Sequence, residues 1–310
     1  MKRLAVIAFA LLCPVFGWAQ YNSYSAFAAG TAPSYEGLWW NPSESGWGVS
    51  IAHQGDMIFA VWYTYDHDGT PMWLFMPDAQ LVGDDMEMSM GMMGMGMMGM
   101  GMMGMPRYSP IYSGTLYRSS MSSGKVSIAQ VGMAAFLFKG RDSGVFAYTV
   151  GNVSQTKDIS RMVFASGGTE CTVGGDKAGG TDNFQDLWWN PSDSGWGVNI
   201  AHQGDTLFAT YYTYDAAGRA TWYAMSNAGP LISTTGQRVE NSYLGPILSA
   251  RGPAFDSAWD ASKVSLSQVG LGGFTFDAAG RGMFSYTLQG EHRGMPIQRM
   301  IFAAPATVCH

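Results

Sequence analysis

Apolar and polar residues alternate in short runs along most of this chain. Val49-Ser50-Ile51-Ala52-His53 alternates up to a Gln54-Gly55-Asp56 turn, and Met57 to Tyr65 continues as a second strand. Asp66-His67-Asp68-Gly69 turns the chain into a third strand that carries Trp73. Further strands are expected near Ile111 and over 125–131, 135–138, 144–150 and 159–164. The series returns as a strand with Trp222 and then over 263–269, 273–276, 282–288 and 297–302. No helical period of useful length occurs beyond the first residues. With opening strands at Trp39 and Trp188, the pattern predicts an all-β chain with about eight antiparallel strands per half. Strands of this length and spacing form a sandwich or an up-and-down barrel.

The halves are two copies of one module. Leu38-Trp39-Trp40-Asn41-Pro42-Ser43-Glu44-Ser45-Gly46-Trp47-Gly48 returns as Leu187-Trp188-Trp189-Asn190-Pro191-Ser192-Asp193-Ser194-Gly195-Trp196-Gly197. So long a period points to tandem domains rather than a solenoid. Module one is expected over 35–171 and module two over 184–310, with a Gly-rich flexible joint at 172–183. Residues 20–34, rich in Ser, Ala and Tyr, read as a flexible leader.

Strand parity picks out a candidate polar set. His53 shares a face with Val49 and Ile51, Gln130 with Val126 and Ile128, and Arg161 with Ile159 and Val163. Module two repeats them as His202, Gln268 and Arg299. If these faces point inward, the set is either a ligand pocket or a buried network that fixes the fold. Trp39 and Trp40, like Trp188 and Trp189, must face opposite sides of their strand. One indole of each pair then lies in the core. The other, taken as Trp40 and Trp189, is left to stack on a sugar or a partner.

Gly37-Leu38-Trp39-Trp40-Asn41 resembles the opening of the calycins (lipocalins and avidins), where a first-strand Gly-x-Trp packs against an arginine of the closing strand. That resemblance implies calycin-like barrels, with Arg161 sealing the end of the first; Asp186 departs from it where glycine would stand. The longer pattern of Leu-Trp-Trp-Asn-Pro-Ser-Glu/Asp-Ser-Gly-Trp-Gly, His-Gln-Gly-Asp and Phe-Ala-x-Trp/Tyr-Tyr-Thr-Tyr-Asp is similar to a repeat of many secreted proteobacterial proteins. It covers nearly all of both modules and implies export, but no particular activity. Gly252-Pro253-Ala254-Phe255-Asp256 belongs to the pattern in module two and is missing from module one, where Tyr117 to Ser123 stand instead.

Composition agrees with an exported β protein. Charged residues are 13% of the chain against 14% aromatics, with 41 glycines, a balance that suits many turns and few surface charges. Met1-Lys2-Arg3 followed by an apolar run to Trp18 reads as a signal peptide over 1–19, too short for a membrane span. Its removal takes the formal charge from −6 to −8, because Lys2 and Arg3 leave with it. An acidic surface argues against nucleic acid and anionic lipid as partners. The expected location is a bacterial periplasm or the medium. There Cys171 and Cys309, each nine positions after an equivalent methionine, can pair.

The one feature without a copy is a methionine-rich segment. Met86, Met88 and Met90 precede a threefold Gly-Met-Met-Gly-Met repeat that holds Met92, Met93, Met95, Met97, Met98, Met100, Met102, Met103 and Met105. Thioether sulfur selects Cu(I) or Ag(I) over harder ions, and glycines let several sulfurs converge on one ion. The competing reading is a low-complexity expansion without a ligand. No cofactor is otherwise implied. Ser-Gly-Trp-Gly lacks the first glycine of a nucleophile elbow, and no carboxylate pair, phosphate loop or zinc motif is specified. The expectation is a non-catalytic binding protein for a soft metal ion, or alternatively for a glycan or small molecule, of open oligomeric state.

Overall fold

Antiparallel strands with one apolar face can bury it without leaving an open edge by curling until the first pairs with the last. A computed structural model describes residues 34–84, 109–174 and 183–310, and in it both modules do this. Barrel one runs β1 (Gly37–Trp40), β2 (Gly48–Gln54), β3 (Met57–Tyr65), β4 (Pro71–Asp84), β5 (Pro110–Ser122), β6 (Lys125–Phe138), β7 (Ser143–Val150) and β8 (Val153–Arg161). A short β9 (Cys171–Val173) follows. Barrel two runs β10 (Asp186–Trp189), β11 (Gly197–Gln203), β12 (Thr206–Tyr214), β13 (Ala220–Ile232), β14 (Arg238–Arg251), β15 (Ser265–Phe276), β16 (Arg281–Leu288) and β17 (Glu291–Arg299), with β18 (Thr307–Cys309) last. Each barrel is closed, all neighbours are antiparallel, and Trp39 pairs with Arg161 as Trp188 pairs with Arg299. Two stretches read separately from the sequence, 125–131 and 135–138, are one strand, β6. No helix among the described residues is long and apolar enough to cross a membrane.

The repeated tryptophan motif builds the β1–β2 corner. The Asn41 side chain accepts from the Ser43 N–H at 2.9 Å and caps a single 3-10 turn that Pro42 begins. The Trp47 indole N–H donates to Glu44 at 3.2 Å, and Trp196 does the same to Asp193 at 3.1 Å. Gly46, at φ 116°, could not be replaced cheaply, since a Cβ there would lie 2.5 Å from Val264 of the other module. Gly195 meets Val126 at the same distance, so the corner is shaped by the partner barrel in both copies.

The barrels are not beads on a flexible joint. Every residue of β2 is buried, and so is every residue of β3 but its first. Val49, Ile51 and Trp62 face the barrel core, while Ala52, Val61, Tyr63 and Trp73 pack with Leu187, Tyr212 and Trp222 of barrel two in a third core. Indole hydrogen bonds cross that interface reciprocally: Trp73 donates to the Thr213 carbonyl and Trp222 to the Thr64 carbonyl, each at 2.9 Å.

The chain ends exchange as well. After β8, the chain leaves barrel one and lies on barrel two, where the Gln203 amide accepts from the N–H groups of Phe164 and Ala165 and donates to the Met162 carbonyl. After β17, the chain lies on barrel one, and Gln54 holds Phe302, Ala303 and Met300 in the same way. The two tails then pair as β9 with β18, and Cys171 and Cys309 are joined by a disulfide. Each module's tail completes the other barrel's surface.

Candidate functional site

Each barrel has a closed end and a mouth. The closed end holds the start of β1, the β2–β3 turn and the end of β8. In barrel one, His53 lies inside it, 2% exposed. Its Nδ1 accepts the Tyr35 N–H at 3.2 Å, so Nε2 carries the proton and donates to the Tyr112 hydroxyl oxygen at 3.2 Å. His202 repeats this with the Phe184 N–H at 3.1 Å and Tyr243 at 3.3 Å. Burial pushes both imidazoles down to about 4, so they stay neutral. With both nitrogens engaged, neither histidine offers a lone pair to a metal.

Arg161 and Arg299 seal the same ends, their guanidinium carbons 4.9 and 4.8 Å from the ring centroids of Trp39 and Trp188. Both indoles are fully buried. The arginine donors are spent locally: Arg161 on the carbonyls of Ser34, Glu36 and Arg141 and on Asp142, Arg299 on the carbonyls of Asn183 and Gln185 and on Asp186. Asp186 therefore departs from glycine for a reason, because its carboxylate accepts from Arg299 at 2.7 Å. A Cβ on its counterpart, Gly37, would come within 2.9 Å of the Arg161 guanidinium.

The inward polar set does not assemble as parity predicts. Gln130 and Gln268 are exposed, as is Ile128. A register shift between Leu116 and Tyr117 interrupts the β5–β6 ladder, with its counterpart between Ile247 and Leu248, and the β6 residues beyond it toward Lys125 are exposed apart from the half-buried Val126. Val163, past the end of β8, is also exposed. Trp40 and Trp189 are half-buried at the closing seam. The methionines from Met86 to Met105 lie outside the described residues. Among the described residues no group of three His, Cys, Asp or Glu side chains is placed to hold a metal.

A site that the sequence pattern does not announce lies at the mouth of barrel one. The β14–β15 connection of module two crosses to this mouth and inserts Phe255 into its core. The Phe255 N–H donates to the Tyr65 carbonyl at 3.1 Å, and its own carbonyl accepts from the Tyr148 hydroxyl at 3.0 Å. Trp259 follows, donating to the Ser45 carbonyl at 3.2 Å. Beside Phe255 a cavity of about 280 Å³ remains, walled by Met72, Leu74, Val131, Val150 and Val153. The only signal for it in the sequence is the Gly-Pro-Ala-Phe-Asp piece that module one lacks.

No family model, no curated protein and no solved structure matches this chain.

Proposed function

We propose that the protein is an exported, non-catalytic binding protein in which two interlocked barrels form a rigid support and the methionine-rich segment 86–105 captures Cu(I) or Ag(I). The observation that carries this reading is where the segment is attached. β4 ends at Asp84 and β5 begins at Pro110, so the methionines connect two adjacent antiparallel strands at the closed end of barrel one. In barrel two the same connection is the tight Ser233–Gln237 turn. A barrel that needs only that turn is complete without the methionines, so they are an addition to the scaffold. Both barrel interiors are lined mainly by aromatic and aliphatic side chains and the closed-end histidines are committed, which supports the thioether sulfurs as the ligands of a soft ion.

Thioethers keep their ligand character in an oxidising compartment, where a free thiol would be lost to disulfide. Soft-ion selectivity follows from the ligand type and needs no rigid cage. The test is competition for Cu(I) against a chromogenic chelator by the intact protein and by a variant with 86–105 replaced by the Ser233–Gln237 turn sequence. The intact chain should withdraw Cu(I) and the replacement should not. Equal competition by both would refute the proposal.

A further inference from the structure

The mouths of the two barrels differ in a way that points to a second site, independent of the methionines. In barrel two the position of Leu74 is taken by Tyr223, whose ring packs 6.1 Å from Tyr211, and Tyr286 lies 5.6 Å from Tyr211 on the other side. Three tyrosines occupy that mouth. In barrel one Leu74, smaller than Tyr223, leaves the cavity beside Phe255, which walls it from the second module. An apolar cavity of about 150 Å³ is enough to hold benzene. One of about 280 Å³ fits a molecule of two fused rings or a comparable aliphatic group.

Charge and lining narrow the class. The rim carries Arg118 and His67, and each faces an aspartate: Arg118 bonds Asp66, and His67 Nδ1 lies 3.2 Å from Asp256. The guanidinium charge is thus already met, and Asp256 adds a negative charge, so the rim does not attract an anion. Trp62, the cross-strand partner of Leu74, has its ring 6.0 Å from that of Phe255 but does not itself line the cavity, so the wall offers a ligand mainly apolar contacts.

We infer that the mouth of barrel one binds a small, uncharged, mainly apolar molecule, and that Phe255 of module two is part of its wall. The ligand lies over Leu74 and Met72.

The probe is 2-acetylnaphthalene, a neutral two-ring ketone, titrated into the full chain and followed by NMR. Saturable shifts are expected at the methyls of Met72, Val131, Val150 and Val153. The methyls of Val269 and Leu288 in barrel two should stay still. 2-Naphthoate should bind at least about tenfold more weakly, because its charge would be buried unpaired. Leu74→Tyr, which installs the residue of barrel two, should abolish the shifts while the remaining spectrum keeps its folded dispersion. Three outcomes would overturn the inference: no saturable shift in barrel one, equal shifts in both barrels, or naphthoate binding as tightly as the ketone.

Discussion

At the closed end of barrel one, His53 takes the Tyr35 N–H, Arg161 lies on Trp39, and Gln54 holds the other module's tail. At the closed end of barrel two, His202, Arg299 on Trp188, and Gln203 do the same three things. The mouths share the Trp47 and Trp196 corners and otherwise differ. One is closed by a loop from the neighbouring barrel and keeps a cavity, and the other is filled by its own tyrosines. The features found in both copies thus belong to folding and to the interlock. What occurs once, the methionine segment on one rim of barrel one and the Phe255 loop at the opposite mouth, is where the modules have been free to diverge.

The largest effect should come from breaking the shared part. Trp39→Ala and Trp188→Ala each empty a fully buried indole site beneath an arginine, and each should cost about 3–5 kcal/mol. Urea unfolding should show similar losses for the two. A loss of less than about 1 kcal/mol in either one would break the equivalence of the closed ends.

A smaller effect sharpens a buried difference at the closed ends, Glu36 against Gln185. Glu36 is buried, and desolvation first, then the nearby Asp186, holds its carboxyl well above the ordinary 4.5, against the opposing pull of the His53 N–H, Arg299 and Arg161. A carboxyl raised in the fold contributes stability below its unfolded value that is lost as pH rises through the folded one. Glu36→Gln should therefore stabilise the protein at and above neutral pH, and flatten that limb of the stability profile. The histidines act oppositely. Their folded values near 4 lie below the ordinary 6.5, so their neutral forms support the fold above that pH, and stability falls as pH drops from about 6.5 toward 4. A tenfold change in proton affinity between the folded and unfolded chain corresponds to about 1.4 kcal/mol. Urea midpoints of the wild type and Glu36→Gln between pH 4.5 and 8.5 separate the two limbs. An unchanged alkaline limb in Glu36→Gln would contradict the assignment.

The barrels themselves were legible, because period-2 alternation and two copies of Gly/Asp-Leu-Trp with a distant arginine state both the strands and their closure. The face of Gln130 was not, since one register shift in the β5–β6 ladder inverts every parity argument beyond it. The interlock was written in Met57-Ile58-Phe59-Ala60-Val61-Trp62-Tyr63, where no polar alternation survives. Such a run means burial on both faces, here by the second barrel. Its partner could not be read locally, because Gln54 and Phe302 lie 248 positions apart. The Phe255 site needed the same long reach, from the second module into the first, and left only an unmatched pentapeptide as its sign.

The central claim is that the two modules form one interlocked body whose tails complete each other's barrels. A site-specific protease sequence placed within 175–182 allows the chain to be cut between the modules, after which Cys171–Cys309 can be reduced. Size-exclusion chromatography with light scattering then gives the mass. The account predicts that the cut, reduced fragments remain together as one particle with the mass of the intact chain. Separation into two folded half-size species would contradict it.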